Sequence, residues 1–357
     1  MRARSLAALL SVVAVACLGP GRPMLLPAGE KYERTESPEF ASAYTQALAL
    51  LDQRREVDAL AALRRAVELG PNNVVAHERY QDTALAVGGE SAAGMRAFYA
   101  ALPDRADSPV PPYCRARLVD DDYSRLALYD ECLRRDPSFY FAYLARARVN
   151  RELGRVDPAH RDLELALAAR PGHPECNLEM AGVLMDIGRF EEAEPYLSNY
   201  VGARPADRVA AKTLAQLLLY RVGKIDAADR LLQSLQSEDA EDATVRMDLA
   251  AVAWRRGDHA AAIAGYQRVL ELDRTRTRAA LNLGNLYFEL AQHEQGEARV
   301  AQLRRARKAY RFFLDADRAD GLHDELDARF TVPYRVEEIQ TAIGADDDDP
   351  PAPGKNF

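Results

Sequence analysis

An all-α fold is predicted by three observations on the 357-residue chain. Apolar residues make up 48% of it, enough for a large core or for several small stacked ones. Almost no stretch alternates apolar with polar side chains as a half-buried strand does. Runs rich in Ala and Leu are instead punctuated at a fixed interval: Pro137, Pro171 and Pro205 lie thirty-four residues apart, as do Gly154 and Gly188, and again Gly223 and Gly257. Only the step from Gly188 to Gly223 is one residue longer. Five residues after each of these glycines stands Ala159, Ala193, Ala228 or Ala262. Self-similarity at this period marks an α-solenoid of helix-turn-helix units, each needing its neighbours to bury its apolar face.

The chain opens with "MRARSLAALLSVVAVACLGPG": two arginines, an apolar run from Leu6 to Ala16, then Cys17. The run is too short to cross a bilayer as a mature helix and has the layout of a secretory signal. Export to the cell envelope is therefore expected. Ala14, Val15, Ala16 and Cys17 resemble a bacterial lipobox, with Ala14 where leucine is usual. Residues 1–17 then form a signal with a lipobox-like end, cut before Cys17, which becomes the lipidated first residue and holds the protein at the membrane, and residues 18–39, carrying prolines and glycines, form a tether. Ordinary cleavage to a soluble periplasmic protein and an uncleaved anchor remain open as alternatives.

The repeating stretches, among them "MAGVLMDIGRFEEAEPYL" and "LAAVAWRRGDHAAAIAGYQRVLELD", resemble the tetratricopeptide repeat. In "LNLGNLYFEL", Leu283, Gly284 and Tyr287 stand in the order of that family's first helix, where the glycine lets the second helix approach. The resemblance spans about residues 40–318 and implies a right-handed superhelix of seven to eight units, starting near Phe40, Val74, Ala106, Tyr140, Pro174, Arg208, Ala243 and Thr277. The second and third units are degenerate. Pro109, Pro111 and Pro112 shorten the first helix of the third, and Arg125 replaces its alanine. The last unit carries about ten extra residues around "HEQGEARVAQ", expected to lengthen its helices or their loop. Residues 319–344 supply a capping helix through "VPYRVEEIQTAIG". Residues 345–357, acidic and rich in proline, are expected to be disordered.

Composition and motifs exclude several functions. The net charge of -8 argues against a nucleic-acid partner, whose phosphates need a basic face. Besides Cys17 there are Cys114, Cys132 and Cys176, without the paired spacing of a zinc site. A Cys114–Cys132 bridge stays open for an oxidising compartment. The six histidines are scattered singly, and no nucleophile elbow or phosphate-cradling glycine loop occurs. "HPEC", from His173 to Cys176, reads as a turn because the Pro-Cys-x-x-Cys half of a deaminase site is missing. Glu191 and Glu192 follow a helix start, where they complement the helix dipole. No catalytic residue, metal or cofactor is assigned.

The resemblance implies that positions two, five, nine and twelve of each first helix line a concave groove. In order these are Arg148 and Arg151, Leu178 and Met185, Lys212, Gln216 and Leu219 with Tyr220 adjacent, Met247 and Trp254, then Arg278, Leu281, Asn285 and Phe288. Two readings compete for the apolar strip of Tyr220, Met247, Trp254, Leu281 and Phe288. It shields the helix pairs, or it anchors a partner segment, flanked by Lys212, Arg278 and Asn285. The carboxylate clamp of chaperone-binding family members is not expected, since Asp248 and Asn282 stand where it needs Asn and a base. The expected function is a non-catalytic scaffold or assembly factor of the bacterial envelope that holds a protein or peptide, similar to repeat lipoproteins assisting pilus or outer-membrane assembly. The rivals are a polysaccharide or peptidoglycan factor using Arg148 and Arg151, and an accessory subunit of an envelope enzyme.

Overall fold

The computed structural model describes residues 30–320 and 326–343. Cys17, the export signal and the tail 345–357 lie outside the described residues, as does most of the tether. Helices follow one another throughout, and no strand occurs among the described residues. They are α1 (Pro38–Asp52), α2 (Glu56–Leu69), α3 (Val74–Val87), α4 (Gly89–Ala101), α5 (Val110–Ala116), α6 (Asp122–Arg135), α7 (Tyr140–Glu152), α8 (Val156–Ala169), α9 (Pro174–Asp186) and α10 (Phe190–Ala203). After these come α11 (Arg208–Gln216), α12 (Ile225–Glu238), α13 (Ala243–Arg255), α14 (His259–Leu272), α15 (Thr277–His293), α16 (Gly296–Asp320) and α17 (Leu326–Ile343). Odd-numbered helices up to α15 open the units. The chain divides into two compact bodies at Val183 and Leu184, inside α9.

Small residues set the packing inside each helix pair. Ala159, Ala193, Ala228 and Ala262 are fully buried on the second helices, where a longer side chain would push the pair apart. Gly284 plays the matching part on α15: a Cβ there would lie 2.4 Å from the Tyr310 ring of α16. The stretch "LNLGNLYFEL" thus leaves out a side chain so that an aromatic ring can fill the gap. Gly154, Gly188, Gly223 and Gly257 end the first helices with φ between 69° and 78°, the left-handed conformation that glycine adopts without steric cost.

Departures from the regular unit have local causes. The third unit opens with the seven-residue α5, whose prolines occupy the first turn, where no backbone donor is required. In the last unit both helices are long, 17 residues in α15 and 25 in α16, against 13 and 14 in α13 and α14. The extra residue between Gly188 and Gly223 is taken up by a π-helical turn, Leu217–Val222, that continues α11. α17 packs on α16 with Val332 and Ile339 buried, and so covers the apolar face left open at the end of the second body.

The expected tether of residues 18–39 needs correction at its end. From Glu30 the chain forms a 3-10 turn and then runs against the first body. Tyr32 is buried with its ring edge-on to Phe139 at 4.7 Å, and its hydroxyl donates to Asp136, which also pairs with Lys31. Glu33 accepts from Tyr140 and pairs with Arg170 at 3.3 Å, while Asn73 donates to the Arg34 carbonyl at 2.9 Å. Burial of an aromatic ring and closure of several polar contacts outweigh the freedom that proline and glycine give a loose linker. Ser37 then caps α1 by accepting from the Phe40 amide at 3.0 Å.

Candidate partner-binding face of the second body

Three successive first helices of the second body present one face. On α11 and its π-helical turn stand Lys212, Gln216 and Tyr220, on α13 Met247, Asp248, Ala251, Trp254 and Arg255, and on α15 Arg278, Leu281, Asn282, Asn285 and Phe288. How much of each side chain remains for a partner is set by the neighbouring unit.

Lys212 is paired with Asp242 at 3.1 Å, and Asp242 also caps α13 through the amides of Thr244 and Val245. Leu281 is 6% exposed and belongs to the core, and Met247 and Phe288 are half-buried against the same core. Position-five side chains therefore pack between units. Asn285 accepts from the Tyr310 hydroxyl at 2.8 Å and from Arg335 of α17, and the Arg335 guanidinium lies 5.6 Å from the Phe288 ring centre. The capping helix thus occupies that end of the face.

Tyr220, Trp254 and Arg278 come together. With Ala251, Arg255, Tyr266 and Asn282 they line a cleft of about 350 Å³. Tyr220 is 42% exposed at its rim and donates to Asp248 at 2.8 Å. Trp254 donates to Glu289 at 2.9 Å and meets Tyr266 edge-on, with ring centres 6.5 Å apart. Asp248, buried behind the wall, accepts from Gln216 at 3.0 Å as well. Burial raises its carboxyl above the usual carboxylate range, against the lowering by the Tyr220 and Gln216 hydrogen bonds and by the Arg278 charge. Tyr266 is fully buried, and its hydroxyl is coupled to the Asn282 side chain and to the Asp248, Arg278 and Arg255 charges.

Sequence reasoning missed Ala251, Arg255 and Tyr266 as cleft residues. Tyr266 sits on a second helix, and its phase, not any groove position, would have had to reveal it. Arg148 and Arg151, the basic pair of the first body, are both tied to Glu179 at 2.7 and 3.3 Å.

Among the described residues no group of three or more His, Cys, Asp or Glu side chains is placed to hold a metal ion, and no helix is long and apolar enough to cross a membrane. Cys114, Cys132 and Cys176 are free and buried. Burial pushes the Cys132 and Cys176 thiols up to about 12, which keeps them protonated and poorly nucleophilic. His173 of "HPEC" packs against the Tyr140 ring at a tilt of 50°, with ring centres 4.8 Å apart, just before α9.

Stacked antiparallel helix pairs, each closed by an alanine and a left-handed glycine, define a helical repeat protein. Tetratricopeptide repeat models match residues 151–218, 253–310 and 213–279. Residues 151–310 thus carry tetratricopeptide repeats, a fold that serves as a protein-interaction scaffold. The mouse DnaJ homolog subfamily C member 3 is 24% identical over 186 residues, covering 47% of this chain and 36% of that protein. The Cryptococcus neoformans tetratricopeptide repeat and J domain-containing co-chaperone DNJ1 is 27% identical over 202 residues, 52% of this chain and 38% of its own. The chain thus spans little more than a third of these relatives. Among solved structures, YrrB, a tetratricopeptide protein described as having an unusual peptide-binding site, aligns with a TM-score of 0.47 and 21% identity over 51% of this chain and 95% of its own. MamA from Desulfovibrio magneticus aligns at 0.41 and 22% over 49% and 99%.

Proposed function

We propose that this protein is a non-catalytic scaffold of the bacterial cell envelope that holds a segment of another protein on the face formed by α11, α13 and α15. The observation that carries this reading is the cleft itself. Three successive first helices contribute Tyr220, Trp254 and Arg278 to one recess. Large rings beside cations, partly desolvated in a recess, suit the anchoring of a partner segment. The ion pairs of Arg148 and Arg151 with Glu179 leave the polysaccharide alternative without a specific observation in its favour. The envelope assignment rests on the leader and "AVAC" in the sequence, which also support a lipid anchor at Cys17.

A photo-crosslinking residue placed at Tyr220 of the full-length protein tests the face, with Tyr123 of the first body, 65% exposed, as control. Crosslinks to a distinct protein from position 220 and not from 123 are expected. Equal crosslinking from both, or none from 220, would remove this surface as the partner site. Fractionation tests the anchor independently: Cys17→Ser should release the protein from membranes, and retention unchanged by that substitution would refute lipidation.

A further inference from the structure

The lining of the 350 Å³ cleft is chemically one-sided. Its charged members are Arg255 and Arg278, with no acid among them. Two carboxylates nearby are already engaged: Asp248 accepts from Gln216 and Tyr220, and Glu289 accepts from the Trp254 indole. Because the polar atoms of Tyr220 and Trp254 are engaged in those bonds, they offer the cleft aromatic carbon.

Tyr266, itself fully buried, also lines the cleft, with its hydroxyl coupled to the Asn282 side chain and to the Asp248, Arg278 and Arg255 charges. The recess thus combines an amide and two cations with aromatic rings, and Ala251 adds a small side chain to its lining.

We propose that the cleft receives an aromatic side chain adjacent to a carboxylate in an internal, extended stretch of the partner protein. The ring inserts between Tyr220 and Trp254, and the neighbouring Asp or Glu carboxylate is received by Arg255 and Arg278. This rests on the scaffold reading above and adds to it the chemistry of the partner. Aromatic pairs favour offset and edge-on contacts that an aliphatic group cannot make, and a guanidinium pairs with a carboxylate in a planar two-bond fork.

The test uses the full-length protein and capped peptides free of tryptophan: acetyl-Gly-Gly-Phe-Asp-Gly-Gly-amide, and the same peptide with Phe-Lys, Ala-Asp or Ala-Lys at its centre. Trp254 is the only tryptophan of the chain, so its emission reports the cleft directly, and calorimetry reports binding wherever it occurs. Saturable binding of the Phe-Asp peptide with a shift of the indole emission is expected, weakened at least tenfold by either single replacement. Arg255→Gln, a change at an exposed residue, should bring Phe-Asp down to the Phe-Lys level and leave helicity unchanged. All four peptides binding alike with an emission shift would overturn the aromatic–acid specificity and leave the scaffold reading standing. Binding without an emission shift, or no binding of any peptide, would overturn the site.

Discussion

At the scale of single residues, small side chains and one buried histidine yield the sharpest expectations. Ala193 and Ala262 are fully buried at helix crossings. Changing either to leucine should cost about 1 to 3 kcal/mol by overpacking, confined to the adjoining units, as chemical denaturation of each variant would measure. Unchanged stability in both would contradict the phase of the repeat. His77 of α3 is buried between the Tyr99 hydroxyl at 2.8 Å and the Pro71 carbonyl at 3.2 Å, and burial pushes its imidazole down to about 4. The unfolded chain takes up a proton near pH 6.5, and the folded chain only near pH 4. The neutral imidazole therefore contributes in full above pH 6.5, and its contribution is lost as pH falls from 6.5 to 4, by about 3 kcal/mol over that window. Unfolding free energies of the parent and of His77→Gln, measured across this range, should differ most in slope there. Parallel curves would exclude His77 as the source.

At the scale of elements, the π-helical turn Leu217–Val222 joins the irregular spacing of the sequence to the site. One residue beyond thirty-four between Gly188 and Gly223 is a local excess that α11 absorbs by widening, and the widened turn carries Tyr220 to Asp248. Deleting the exposed Arg221 restores the regular interval and should return the turn to α-helix. Tyr220 then leaves Asp248, and a buried carboxylate that has lost a donor is expected to cost about 1 to 3 kcal/mol. A lowered denaturation midpoint together with altered Trp254 emission is expected. A gain in stability would show that the bulge serves nothing at the site.

The elements also show what a sequence conveys. Prolines, left-handed glycines and crossing alanines answer to geometry within one unit, so the fold class was legible in their spacing, and the starts of α3, α7, α9, α11, α13 and α15 agree with the units implied by the tetratricopeptide resemblance. Availability of a groove side chain was not legible, because it is decided in the next unit. Lys212 is taken by Asp242, Trp254 by Glu289, and Asn285 by Tyr310 and Arg335. The docking of Tyr32 on Asp136, 104 residues away, left no periodic trace for the same reason.

For the whole molecule, the central claim is that a tetratricopeptide array uses the α11–α13–α15 face of its second body to hold a segment of another protein. The recurring features of the repeat, its alanines and glycines, serve folding and say nothing about a partner. The claim concerns the side chains that line the cleft, and Trp254 stands among them. The most direct measurement is therefore the emission of this single indole while the full-length protein is titrated with peptides selected on it from an unbiased display library. A saturable shift at one peptide per chain, lost when Arg278 is changed to Gln while helicity is retained, is the expected result. Selected peptides that bind tightly yet leave the indole emission unchanged, and bind the Arg278→Gln protein equally well, would contradict it.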